Sequence, residues 1–282
     1  MAVNFPKLPD FERPPVVEVV LSLQFEALPK LQVQHIGQLW DRFKTDFPVV
    51  ETKPPLDPVL EMFDRKPARP MVQFSVGEMP MFPRVWFVSG TGSEIIQVQS
   101  DRIIHNWRKT GTSPEYPRYD RIREDFKKSL KKVTDFLRDN ALGELRPNQC
   151  EVSYINHVPI SDSGAADHGE PHRLLKIFNK DFGIPFLPTP EAVNFSTRYL
   201  LQHADINSGK PFGRLYVDLK PAYSENQTSI FVINLTVRSA PSRNDIESAM
   251  ECYDIGRKYI VCTFDAMTED GMHKVWGKMN ER

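Results

Sequence analysis

The chain has 282 residues, 40% hydrophobic and 26% charged, enough for one large core or two fused smaller ones. Its 36 Lys and Arg against 37 Asp and Glu leave a formal charge of -1, which excludes a global field that recruits nucleic acid or an anionic membrane. No apolar run approaches the roughly 20 residues that span a bilayer, and Met1 to Asp10 lacks the charged-then-apolar pattern of a signal peptide. Three widely spaced cysteines, Cys150, Cys252 and Cys262, argue for a reducing compartment over a disulfide framework. A cytoplasmic protein without a membrane partner is expected. The 24 prolines cluster at Pro6–Pro15, Pro54–Pro70, Pro80–Pro83 and Pro185–Pro190, where a fixed φ and a missing N–H end one periodic segment and begin another.

Val17, Val19, Leu21, Leu23 and Phe25 alternate with Glu18, Ser22 and Gln24, the period-2 pattern of a strand with one buried face. Ile36, Leu39, Trp40, Phe43 and Phe47 recur at spacings of three and four and predict a helix stopped by Pro48. Strands are predicted at Met71–Val76, Arg84–Val88, Ile95–Val98 and Arg102–Trp107, with Ser89-Gly90-Thr91-Gly92 as a hairpin turn between two of them. A long helix follows from Arg118 to Arg138. Tyr119, Ile122, Phe126, Leu130, Val133 and Leu137 form its apolar stripe, and Gly143 is the expected left-handed cap.

The order β-α-β-β-β-β-α then starts again. Pro147-Asn148-Gln149-Cys150-Glu151-Val152 repeats the P-x-x-x-E-V of Pro14 to Val19, 133 residues on. Phe178-Asn179-Lys180-Asp181-Phe182, at the end of a helix predicted over His172–Asp181, repeats the F-x-x-D-F of Phe43 to Phe47, 135 residues on. Strands are predicted at Asn194–Leu201, Gly213–Lys220 and Ser229–Arg238. A terminal helix from Asn244 carries Ile246, Met250, Tyr253, Ile260, Phe264 and Met267. Two matches at nearly constant offset predict an α+β fold made by tandem duplication of a β-α-β(3–4)-α unit, residues 1–145 and 146–282. The two units are expected to pack as one pseudo-symmetric globule, with helices on one face of antiparallel sheets. Sheets joined edge to edge would give a saddle of the TATA-binding-protein-like kind, an analogy of fold alone.

Pro14-Pro15-x-x-Glu18-Val19 with Phe25, Trp40 and Phe47-Pro48, then Glu61, Phe264-x-x-Met267-Thr268 and Trp276-Gly277, resemble a sporadically distributed prokaryotic family without an assigned activity. The resemblance covers essentially the whole chain but rests on scattered apolar and turn positions. It carries no catalytic residue over to this sequence. Sporadic distribution implies horizontally moved accessory genes, including defence and toxin–antitoxin cassettes.

The chemistry-bearing motifs are few. No Walker loop, G-x-G-x-x-G, G-x-S-x-G, H-E-x-x-H or C-x-x-C is present. Asp167-His168-Gly169-Glu170-Pro171-His172 has ligand types suited to zinc or iron. Pro171 fits a first helical turn, however, and His168 lies outside that helix, so a polar loop is the plainer reading and no metal or cofactor is expected. Cys150 beside Glu151 and His157 selects no catalytic triad. Residues 101–150 hold 12 Lys and Arg against 8 Asp and Glu. Arg121, Lys128 and Lys132, with their neighbours on the long helix, form either a phosphate-tracking surface or a solvated face laced with i,i+4 pairs.

The second half's polar strand face is the best candidate site. Alternation buries Leu215, Val217 and Leu219 and sends Arg214, Tyr216, Asp218 and Lys220 the other way. Phe231, Ile233, Leu235 and Val237 likewise leave Asn234, Thr236 and Arg238 opposite, joined by Ser196 and Arg198. Arginines with a Tyr, an Asp and an Asn suit an anionic or protein ligand, against the alternative of cross-strand ion pairs on an ordinary wet face. A non-enzymatic protein that recognises a protein partner across this face is the leading expectation. Beside it stand a nucleic-acid-binding saddle, with Trp86 and Trp107 as stacking residues, and an enzyme or sensor for a small anionic ligand between the halves. Partner identity and oligomeric state leave no mark in the sequence.

Overall fold

The computed structural model describes residues 5–63, 82–111, 115–180, 184, 186–202 and 211–279. Their elements are β1 (Val16–Phe25), α1 (Val33–Trp40), β2 (Val49–Lys53), β3 (Arg84–Val88), β4 (Glu94–Gln99), β5 (Arg102–Arg108) and α2 (Tyr119–Asp139). There follow β6 (Pro147–Pro159), α3 (Ile160–Ser163), a 3-10 turn at Pro171–Arg173, β7 (Phe195–Gln202), β8 (Pro211–Tyr223), β9 (Ser229–Ser239), α4 (Ile246–Met267) and α5 (Asp270–Val275). The fold is α+β. The nine strands form one large antiparallel sheet in the order β2-β3-β4-β5-β1-β6-β9-β8-β7.

The chain divides into two compact units. A central unit holds Val20–Glu151 and Arg238–Tyr253, and a terminal unit holds Met1–Val19, Val152–Val237 and Asp254–Arg282. In the central unit, alternation does what the sequence demands: Leu21, Leu23 and Phe25 are buried, as are Phe87, Ile96, Ile103 and Trp107. The stripe of α2 packs on this face, with Phe126 against His105 at 6.1 Å and against Tyr253 at 5.6 Å. Phe43 meets Phe87 at 5.6 Å, and Trp40 Nε1 donates to Phe47 O at 2.9 Å, tying down the turns that follow α1. Each fully buried aromatic of this set contributes about 2–3 kcal/mol by removal from water.

In the terminal unit the chain's two ends pair. Glu12 N donates to Gly277 O at 3.0 Å and Met279 N to Asp10 O at 3.0 Å. Phe11 sits among Phe264, His273 and Trp276. Thr268 Oγ1 donates to Phe264 O at 2.7 Å and lies 2.8 Å from His273 Nε2. The Phe264, Thr268 and Trp276-Gly277 positions are therefore parts of a buried knot. Helix α4 comes close to the sheet at Gly256, where a Cβ would stand 2.7 Å from Val152 Cγ1.

Four sequence expectations change. The helix predicted to run through Phe43 and Phe47 to Pro48 ends at Trp40, and turns carry the chain from Asp41 to Asp46. The helix over His172–Asp181 is replaced by the 3-10 turn and irregular chain through Lys180, the remainder lying outside the described residues. The physical reason is tertiary: Lys176 N donates to Met267 O at 2.8 Å, and Leu174 O accepts from Glu269 N at 2.9 Å. Backbone groups that a helix would use internally are thus satisfied by the last residue of α4 and the segment after it. Helix α2 ends through Ala141 (φ 51), with Leu142 N donating to Leu137 O at 2.9 Å, before Gly143 is reached. A strand at Val49–Lys53, absent from the sequence reading, pairs with β3. The predicted strand Met71–Val76 lies outside the described residues.

Candidate functional site

Register decides which polar side chains share a face. In the central unit Gln99 stands opposite Arg102, Gln97 opposite Trp86 and Lys53 opposite Arg84. This polar face is not left to water: Gln24, Gln97, Gln99, Arg102, Asn106 and Gln149 are all buried. An extended strap, residues 54–63, crosses it. Gln99 grips the strap by both backbone groups of one residue, accepting from Leu56 N and donating to Leu56 O, each at 2.8 Å. Arg102 Nη2 donates to Asp57 O at 2.9 Å and also to Gln24 Oε1. Val59 N donates to Gln24 Oε1 at 3.1 Å and Glu61 N to Gln149 Oε1 at 2.9 Å. Pro54, Pro55 and Pro58 favour an extended backbone and carry no N–H that would need a partner.

Sequence reasoning missed these anchors, because a glutamine at an alternate strand position looks the same under water as under a strap. Gln24→Ala is expected to raise amide hydrogen exchange at Val59 by about tenfold or more, the equivalent of about 1.4 kcal/mol, with little change at Leu56. Residue-resolved exchange measures this, and equal protection at Val59 in both proteins would rule out the anchor.

In the terminal unit β7 pairs with β8 so that Ser196 faces Asp218, Arg198 faces Tyr216 and Leu200 faces Arg214. The structure therefore brings Arg198, Arg214, Tyr216 and Asp218 onto one face. Leu215, Val217 and Leu219 lie buried beneath, and Asn234 on β9 is half-buried. Arg198 is exposed and makes no ion pair among the described residues. Thr236 turns away from solvent to a 2.7 Å hydrogen bond with Ser153. Arg238, at the far end of β9, belongs to the central unit and pairs with Glu151.

The basic helix residues also lie in the central unit. Arg121 and Lys128 both pair with Asp125, at 3.6 and 2.8 Å, and Lys132 reaches Asp46 at 3.3 Å over the Phe43 ring. A groove of about 420 Å³ there is lined by Lys127, Lys128 and Lys131 but also by Glu124, Asp135 and Glu247, so its field is mixed.

In the metal-like loop Asp167, His168 and Glu170 are bonded within the protein, while His172 Nδ1 is buried without a hydrogen-bond partner among the described residues. Asp167 Oδ1 accepts from Gly169 N and Glu170 Oε2 from Ala166 N, both at 2.8 Å. His168 Nε2 lies 3.0 Å from Ile230 O and 3.2 Å from Ala222 O, so it carries the proton. Cys150 is 1% exposed, and burial pushes its thiol up, away from the thiolate a nucleophile needs.

On the other side of β7, Tyr199 and Leu201 face a groove of about 490 Å³. Leu215 forms its floor, with Tyr259, Cys262, Ala266 and Met267 of α4 along one wall. Tyr259 OH donates to Gln202 O at 3.2 Å and packs on Phe5 at 4.7 Å, fixing that wall. Tyr199 and Leu200, on opposite faces of β7, are 49% and 50% exposed. Among the described residues no strand pairs with the outer edge of β7. Compared with known proteins, the chain matches no protein-family model, no curated protein and no solved structure. No helix of the described residues is long and apolar enough to cross a membrane.

Proposed function

We propose that this chain is a non-catalytic binding protein that takes an extended segment of a protein partner along β7, against the face bearing Arg198, Arg214, Tyr216 and Asp218. The observation that carries this reading is the edge itself. A terminal strand presents a row of N–H and C=O groups, and soluble proteins usually blunt such edges with proline, lysine or a covering segment. Phe195-Ser196-Thr197-Arg198-Tyr199-Leu200-Leu201-Gln202 has no proline or lysine and shows large side chains on both faces. Strand addition at such an edge takes affinity from the backbone and specificity from alternate side chains. The strap supports the reading by example, since polar side chains of the same sheet hold an extended segment of the chain itself. The strand order is also what tandem duplication of the two halves would give: β1 and β6 stand side by side, each followed outward by the strands of its own half.

The test compares affinity purification of the wild type with an Arg198→Glu/Leu200→Lys double variant from the native host. Both positions are solvent-facing, so the melting temperature should hold. A stoichiometric protein partner that falls about tenfold or more with the double variant supports the reading. A partner retained equally by both proteins, or nucleic acid released by salt with no protein partner, overturns it.

A further inference from the structure

An added strand must alternate in step with β7. Residues on one side of it would share a face with Ser196, Arg198 and Leu200, and residues on the other would share a face with Thr197, Tyr199 and Leu201. The two faces differ in chemistry. On the first, among the described residues of β7 and β8, Arg198, Arg214 and Lys220 stand with one carboxylate, Asp218, and Arg198 is exposed. On the second lies the apolar groove, about 490 Å³ against the roughly 30 Å³ share of one water, so whole side chains can enter. We infer that the partner segment is an extended strand in which apolar and acidic residues alternate. Its apolar side chains enter the groove beside Tyr199 and Cys262, and its carboxylates meet Arg198. The inference rests on the reading of β7 as the docking edge and names the chemistry of what docks.

Cys262 supplies a built-in reporter. It lines the groove and is half-buried, whereas Cys150 and Cys252 are buried in the core. The experiment uses the full chain and three acetylated, fluorescein-labelled peptides. One is Val-Glu-Leu-Glu-Phe-Glu-Val, the second carries lysine for each glutamate, and the third has the same composition with all apolar residues first. Anisotropy is expected to show the alternating peptide binding about tenfold or more tighter than either control. Saturating alternating peptide is expected to slow maleimide labelling of Cys262 by a similar factor.

Ala266→Trp, which fills the groove from an exposed position on α4, should abolish both effects without lowering the melting temperature. Arg198→Glu should weaken binding about tenfold. Equal affinity for the three peptides, or labelling unchanged by bound peptide, overturns the inference. Decanoate protecting Cys262 where the peptide does not would also overturn it, in favour of a small apolar ligand. Failure here is distinguishable from failure of the docking edge itself. A native partner lost on Leu200→Lys, yet neither displaced by the alternating peptide nor protecting Cys262, removes the alternation and leaves the edge.

Discussion

Replacing Gly169 by alanine is expected to leave little or no folded protein. A Cβ at that position would stand 1.7 Å from Pro190 O and 2.9 Å from Asp167 Oδ1. The nearest obstacle is backbone, which cannot swing aside as a side-chain tip can. His168 pairs with Ala192 in a parallel bridge, and Val193 N donates to His168 O at 3.1 Å, so the two segments are held together next to the contact. Moving them apart would also unseat the buried His168 imidazole from Ile230 O and Ala222 O. Overpacking alone costs about 1–3 kcal/mol. Adding the lost hydrogen bonds brings the expected total to about 4 kcal/mol or more, a large share of a domain's stability. Gly271→Ala is the matched control. It lies in α5 with nothing within 4 Å of the new Cβ, so the helix should gain up to about 1 kcal/mol. Soluble yield and urea midpoints of the three proteins decide the matter. A Gly169→Ala protein within about 1 kcal/mol of wild type would show that the two segments do not approach so closely.

Acid is expected to destabilise the protein well before its carboxylates protonate. His105 is fully buried on β5 against Phe126, and burial pulls its imidazole down to about 4, with the Asp125 carboxylate opposing that shift. An unfolded histidine titrates near 6.5. Between these values the unfolded chain binds a proton that the folded chain refuses, so stability falls as pH falls. The full window corresponds to about 3 kcal/mol. His157 and His273 are pulled down by burial as well and act in the same direction. Glu94, 4.0 Å from His105 Nε2, is pushed up by burial and acts oppositely. Its contribution is present below the ordinary carboxylate range and is lost as pH rises through its raised value. The histidines dominate between pH 7 and 5. Urea midpoints measured across that range should fall steeply for the wild type and less for His105→Leu. Parallel slopes for the two proteins would mean that His105 is charged, or reached by water, in the folded state.

The local patterns were legible without the structure. Leu21 to Phe25, Leu215 to Leu219 and Ile233 to Val237 are strands because period-2 burial is written into each segment. Helix α2 is a helix because its stripe repeats at three and four over 21 residues. The shared face of Arg198, Arg214, Tyr216 and Asp218 was legible for the same reason, since antiparallel register carries alternation from one strand to the next. Tertiary structure decided the rest. Leu174 and Phe178 have helical spacing, yet Leu174 O and Lys176 N bond to Glu269 and Met267 at the end of α4 and just beyond it, a competition no local window records. Gln24, Gln99, Arg102 and Gln149 have the spacing of a wet face, and only the strap makes it a buried one. Arg238 shares a strand with Asn234, but the proximity of Glu151 turns it to an ion pair. The groove joins Tyr199 and Leu201 to Tyr259 and Cys262, roughly 60 residues along the chain. Periodicity says that a helix has an apolar side and a sheet two faces. Which side meets which face, and what is left uncovered between them, follows only from how the whole chain closes on itself.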